Sequence, residues 1–113
     1  MKIIKFLATT ILLFVASNIA LAQTKEETIK VYGNCGTCKK HIEQAAKHAG
    51  AEKATWDQDT KILKVKYDAQ KTTNDSIQKE IAEVGYDTEK YNGNDKAYNK
   101  LDECCQYDRK NKK

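Results

Sequence analysis

Cys35 and Cys38, separated by Gly36 and Thr37, carry the clearest chemistry in this sequence. Two thiols at this spacing can converge on one point, and once deprotonated they form a soft donor pair. Such a pair suits Cu(I) or Hg(II) in near-linear coordination, whereas Zn(II) needs further ligands to complete a tetrahedron. A second pair, Cys104 and Cys105, lies near the other end of the chain. A disulfide between adjacent residues is strained. That leaves three active roles for this pair: extra thiolates capping a metal, a link back to Cys35 or Cys38, or a reactive pair joining two molecules. An inert, buried Cys105 is the plain alternative. His41 and His48 are further nitrogen donors, His41 only three residues beyond Cys38, although surface histidines are more often simply solvated.

The first pair has rival readings as a structural disulfide or a redox dithiol. Cys35-Gly36-Thr37-Cys38 is close to the C-G-P-C of thioredoxin-type sites. Those sites rely on a cis-proline facing the disulfide, and this chain has no proline.

The elements around the pair decide how it is presented. Ile29 and Val31 alternate with polar neighbours as a short strand, and Gly33-Asn34 breaks that pattern. From Cys38 the period changes: Ile42, Ala45, Ala46 and Ala49 form one apolar helical stripe that closes at Gly50. Cys38 then falls in a first helical turn, where the helix dipole and free N–H groups favour a thiolate, with Lys39 and Lys40 adding positive charge. Gly36 is expected to permit the tight backbone between the sulfurs. Ala54 and Trp56 mark a second strand, 57–60 a turn, and Leu63, Val65 and Tyr67 a third strand. Asn74 or Asp75 can cap a second helix carrying Ile77, Ile81 and Val84 and ending at Gly85. Residues 86–91 read as a weak edge strand. The predicted fold class is α+β: a ferredoxin-like βαββαβ sandwich, a four-stranded antiparallel sheet with two helices on one face. A short C-terminal helical tail follows, with Ala97, Tyr98, Leu101 and Cys105 at helical spacing.

The chain has 113 residues, with 20 Lys and Arg against 16 Asp and Glu. So even a balance argues against a nucleic-acid binder. Residues 1–22 read as a signal peptide: Lys2 and Lys5 lead an apolar run to Leu21, and Ala20-Leu21-Ala22 supplies small residues for cleavage. The run is shorter than the roughly 20 apolar residues of a membrane span, so no span is expected after cleavage. The expected organisation is a leader at 1–22, a domain at 23–91 and an extension at 92–113. The expected location is periplasmic or secreted. No phosphate loop, paired catalytic carboxylates or metalloprotease motif is present, so an enzyme is not expected.

From Thr28 to about Glu89 the sequence resembles the heavy-metal-associated domain, the module of copper chaperones, copper ATPase amino-terminal domains and the periplasmic mercury-binding protein. Beyond the C-x-x-C, the resemblance rests on Gly50-Ala51-Glu52-Lys53-Ala54, Val65-Lys66-Tyr67-Asp68 and Val84-Gly85-Tyr86-Asp87. It implies Cys35 and Cys38 as metal ligands and suggests a shielding role for Tyr86; Gly33, Gly36 and Lys39 are the other residues expected around the site. The implied cargo is Cu(I), with Hg(II) or Zn(II) as alternatives. The implied partner is a metal-donor or metal-acceptor protein, a membrane metal transporter among them. A Hg(II) scavenger or a thiol–disulfide redox protein would use the same cysteines. The family's pattern places methionine two residues before the first cysteine, with glycine before it; here those positions are Gly33 and Tyr32.

Overall fold

The computed structural model describes residues 23–111. The leader reading at 1–22 lies outside the described residues. Strand β1 (Thr24–Lys30) runs into a short loop and helix α1 (Gly36–His48), and strands β2 (Lys53–Trp56) and β3 (Ile62–Asp68) form a hairpin. Helix α2 (Asn74–Glu83), the short helix α3 (Asp95–Asn99) and a 3-10 turn at Glu103–Cys105 complete the order. The sheet is antiparallel with strand order β1-β3-β2.

Alternation sets the faces of the sheet. Ile29, Ala54, Trp56, Leu63, Val65 and Tyr67 are buried, and α1 and α2 cover them with Ile42, Ala45, Ala46, Ile77 and Ile81. Each fully buried isoleucine here stabilises the fold by about 2 kcal/mol relative to exposure. The opposite face is polar: Glu26 pairs with Lys66 and Thr28 with Lys64 across β1 and β3. Both helices end where the sequence predicts, at Gly50 and Gly85. Their φ values of +113° and +107° are a backbone that a side chain would strain. The second helix begins one residue earlier than expected. Thr73 is its cap, with Oγ1 accepting from the Ser76 N–H at 3.1 Å.

Among the described residues three strands form, not the four predicted. The segment that would be the fourth meets β1's continuation only at the bridge Val31–Thr88. Two backbone bonds flank that bridge, from the Tyr32 N–H to the Asp87 carbonyl and from the Glu89 N–H to the Lys30 carbonyl (both 2.9 Å), and the pairing goes no further. The Thr88 N–H turns back to the Tyr91 carbonyl (2.8 Å), and the Lys30 N–H takes the Glu89 carboxylate (3.0 Å) instead of a backbone acceptor. The polar residues that make this turn deny the segment a ladder.

The tail helix also differs from its prediction. It stops at Asn99, and the chain turns through the 3-10 segment, which buries Cys105 and leaves Cys104 exposed. Cys105 and Tyr107 thereby join the core. Among the described residues no helix is long and apolar enough to cross a membrane.

Candidate metal centre

Cys35 stands at the N-cap of α1 in extended conformation (φ −143°, ψ 176°), with its carbonyl accepting from the Lys39 N–H at 3.0 Å. Cys38, one turn in, is fully buried. The Sγ atoms of these two free thiols are 3.4 Å apart. A third sulfur joins them: Cys105 Sγ lies 3.6 Å from Cys35 Sγ, and the three sulfurs fall within 4.8 Å of one another. Cys104 faces outward, its Sγ 3.7 Å from that of Cys105. The tail cysteines therefore separate, one into the cluster and one to its rim.

Burial pushes the Cys35 thiol up, but the Cys38 N–H, the Cys38 and Cys105 thiols and the Thr37 N–H outweigh it and bring it down to about 7. Open amides at a helix N-terminus favour an anion in this way. Sequence reasoning looked for the acidic thiol within the first turn, at Cys38, and overlooked the cap residue. Burial raises the Cys105 thiol, and its hydrogen bonds with Cys38, Cys35 and Cys104 raise it further. Alkylation of the reduced, metal-free protein by iodoacetamide should show one cysteine whose rate rises through a midpoint near pH 7. Peptide mapping should locate the label on Cys35. A midpoint above pH 8.5 for every cysteine would contradict the site described.

The Cys38 thiol donates to Asn34 Oδ1 at 3.0 Å, a contact that no pattern in the sequence points to. Tyr86 is fully buried, and its phenol meets His41 Nδ1 at 2.9 Å. Burial and the adjacent Cys38 and Cys105 sulfurs hold that phenol protonated, so it can serve as a donor to the cluster. His41 is thus bound to Tyr86 and is not one of the clustered donors. His48 is exposed and pairs with Glu80 at 3.1 Å.

Gly33 is buried for a steric reason. A Cβ there would meet the Trp56 ring at 3.1 Å and Cys38 Cβ at 3.2 Å. The indole fills the space under the loop, and its Nε1 donates to the Val31 carbonyl at 3.0 Å. Gly36 differs from its expected role: it is exposed, its φ is not positive, and a Cβ would meet nothing within 4 Å. Lys39 is directed away from the sulfurs, donating to the Glu43 carboxylate and, at 3.1 Å, to the Trp56 carbonyl.

The tail is fastened by a polar latch that sequence reasoning missed. Tyr107 donates its hydroxyl to the Gly85 carbonyl (2.6 Å), accepts from the Asp87 N–H (2.7 Å) and stacks on Tyr86 with ring centroids 5.5 Å apart. Arg109 reaches Asp87 (2.7 Å), Asp95 (2.6 Å) and the Gly93 carbonyl (2.5 Å). A lone arginine in a lysine-rich tail was the available signal, but nothing in the sequence named its partner.

No curated protein sequence matches this chain. Among solved structures it is similar to the CopZ metallochaperone, at 29% identity and a TM-score of 0.54, covering 57% of this chain and 98% of that one. It is also similar to the water-soluble region of the P-type ATPase CopA from Bacillus subtilis, at 31% identity and a TM-score of 0.55. That match covers 61% of this chain and 47% of the other. A copper form of a CopA variant from the same organism matches at 31% identity and a TM-score of 0.52, over 61% of this chain and 93% of that one. The expected periplasmic or secreted location is corrected by this likeness. The matched modules belong to CopA, a P-type ATPase, one of them to its water-soluble region, and this likeness speaks against an exported protein. The model of the heavy-metal-associated domain matches residues 28–87, more than half of the chain, and the protein belongs to that family.

Proposed function

We propose that this protein binds a soft metal ion, Cu(I), at its cysteine cluster and hands it to a partner protein. The observation that carries this reading is the convergence of Cys35 and Cys38 at a strand-to-helix corner, with the Cys35 thiol brought down to about 7. A thiolate available near neutral pH is the form a soft cation takes. The ion is cargo here, not a catalytic centre. The solved relatives are a metallochaperone and ATPase modules, so a binding protein is the reading and not an enzyme. The likeness to a P-type ATPase also supports a membrane metal transporter as the partner. Within the site, Cys35 and Cys38 act as ligands, Tyr86 shields them from water, and Gly33 admits the Trp56 ring that supports the loop. Residues 92–113 form an extension to the domain.

Anaerobic titration of the reduced protein with Cu(I), Hg(II) and Zn(II) tests this reading. Wild type should bind one Cu(I) far more tightly than Zn(II), and Cys35→Ser/Cys38→Ser should lose that binding. Retention of tight Cu(I) binding in the double variant would refute the assignment.

A further inference from the structure

Resting on that reading, we infer that the C-terminal extension supplies a third metal ligand, Cys105, making a three-sulfur site that closes over the cargo from within the same chain. The extension then holds a coordination position that a partner's thiol must take over. Release of the tail becomes a condition for hand-over.

The sulfur spacing suits a three-sulfur site. With a metal–thiolate bond of about 2.3 Å, two sulfurs in linear coordination stand about 4.6 Å apart and three in a trigonal plane about 4.0 Å apart. The Cys35–Cys38 and Cys35–Cys105 separations of 3.4 and 3.6 Å lie nearer the trigonal spacing, and all three sulfurs fall within 4.8 Å. Small shifts of Cys35 away from the other two sulfurs approach a trigonal site, while a linear one requires Cys35 and Cys38 to part by more than 1 Å and leaves Cys105 without a role.

The placement of Cys105 suits a ligand as well. Cys105 is fully buried, its own N–H bonded to the Asp102 carbonyl at 2.7 Å in the 3-10 turn. The segments on either side of it are anchored. Tyr98 donates to the Tyr107 carbonyl at 2.7 Å, Tyr107 is held at Gly85 and Asp87, and Arg109 is held at Asp87 and Asp95. A thiol that merely filled a core gap would not need anchors on both sides or two other sulfurs as neighbours.

No electron moves in this chemistry. Each thiol that binds Cu(I) gives its proton to solvent, and the ion stays in the +1 state. During hand-over a partner thiolate forms a bond to the ion as the Cys105–metal bond breaks, and Cys105 takes a proton back from solvent. The remaining two bonds then exchange onto the partner in turn.

The test uses the full-length reduced chain loaded with one equivalent of Cu(I), read by X-ray absorption at the copper edge. Wild type should show three sulfurs per copper and Cys105→Ser two, with Cys104→Ser unchanged from wild type. Cys105→Ser should weaken Cu(I) binding on the order of a hundredfold, the low end of what an intramolecular engagement contributes. It should also speed copper loss to dithiothreitol. Arg109→Ala, which keeps every thiol and loosens the tail at its Asp87 and Asp95 contacts, should speed that loss too. This second variant covers the case in which Cys105→Ser folds poorly. Two sulfurs in wild type, or unchanged affinity in Cys105→Ser, would overturn the inference. So would a three-sulfur signal that requires high protein concentration, since two chains would then share the ion. Retained binding in Cys35→Ser/Cys38→Ser would instead overturn the underlying metal-binding reading.

Discussion

Trp56→Ala is expected to destabilise the protein by about 3–5 kcal/mol, the cost of emptying a large buried aromatic site. Small domains have about 5–15 kcal/mol in all, so the variant should be partly unfolded at modest denaturant. The indole is 1% exposed, and its Nε1 satisfies the Val31 carbonyl where β1 enters the metal loop. Truncation leaves that carbonyl buried without its donor and takes away the surface against which Gly33 rests. The effect should therefore reach function as well as stability. Urea denaturation should show a lower midpoint with an unchanged slope, and Cu(I) affinity should fall even where the variant is folded. Trp56→Phe keeps most of the packing and loses only the donor, so its cost should be about 1–2 kcal/mol. A loss below about 1 kcal/mol for Trp56→Ala would mean that the loop does not depend on the ring beneath it.

The pairing of Gly33 with Trp56 also shows what the sequence could and could not reveal. Alternation at Ala54 and Trp56 identified the strand, and the family's pattern flagged the missing methionine at Gly33. Their 23-residue separation hid the fact that one compensates for the other: the indole occupies the space that a side chain at 33 would need. The helices and the three strands were legible because each has an apolar period of its own, and the helix ends because Gly50 and Gly85 sit at positive φ. The fourth strand was overestimated because residues 86–91 alternate weakly, while side-chain bonds from Glu89 and Thr88 redirect the backbone. Within the tail, adjacent cysteines look equivalent in a sequence. Only the direction of the 3-10 turn buries Cys105 and exposes Cys104. That turn is positioned by contacts from Tyr107 and Arg109 to residues about twenty positions earlier.

Asp87→Asn should show how much those contacts matter, with an expected loss of about 3 kcal/mol at neutral pH, as for breaking a buried ion pair from one side. Asp87 is 1% exposed, receives the Gly93 N–H at 2.6 Å and the Lys110 N–H at 3.0 Å, and faces the Arg109 guanidinium. Asparagine keeps the shape and some of the hydrogen bonding but leaves the guanidinium without this counter-charge. Burial alone would raise the Asp87 carboxyl; Arg109 and the two amides outweigh it and hold the group below the usual carboxylate range. The folded-state value is thus depressed. Its stabilising contribution is fully present above the unfolded value of about 4 and is lost as pH falls through the lower folded value. The gap between wild type and Asp87→Asn should consequently stay constant from pH 7 to about pH 5 and narrow in stronger acid. Denaturation curves across that range measure it directly, and a gap that widens with acid would contradict the latch. Since Cys105 lies between Tyr98 and Tyr107, loosening Asp87 also loosens the third sulfur. The same variant should release Cu(I) to dithiothreitol faster than wild type while retaining Cys35, Cys38 and Cys105.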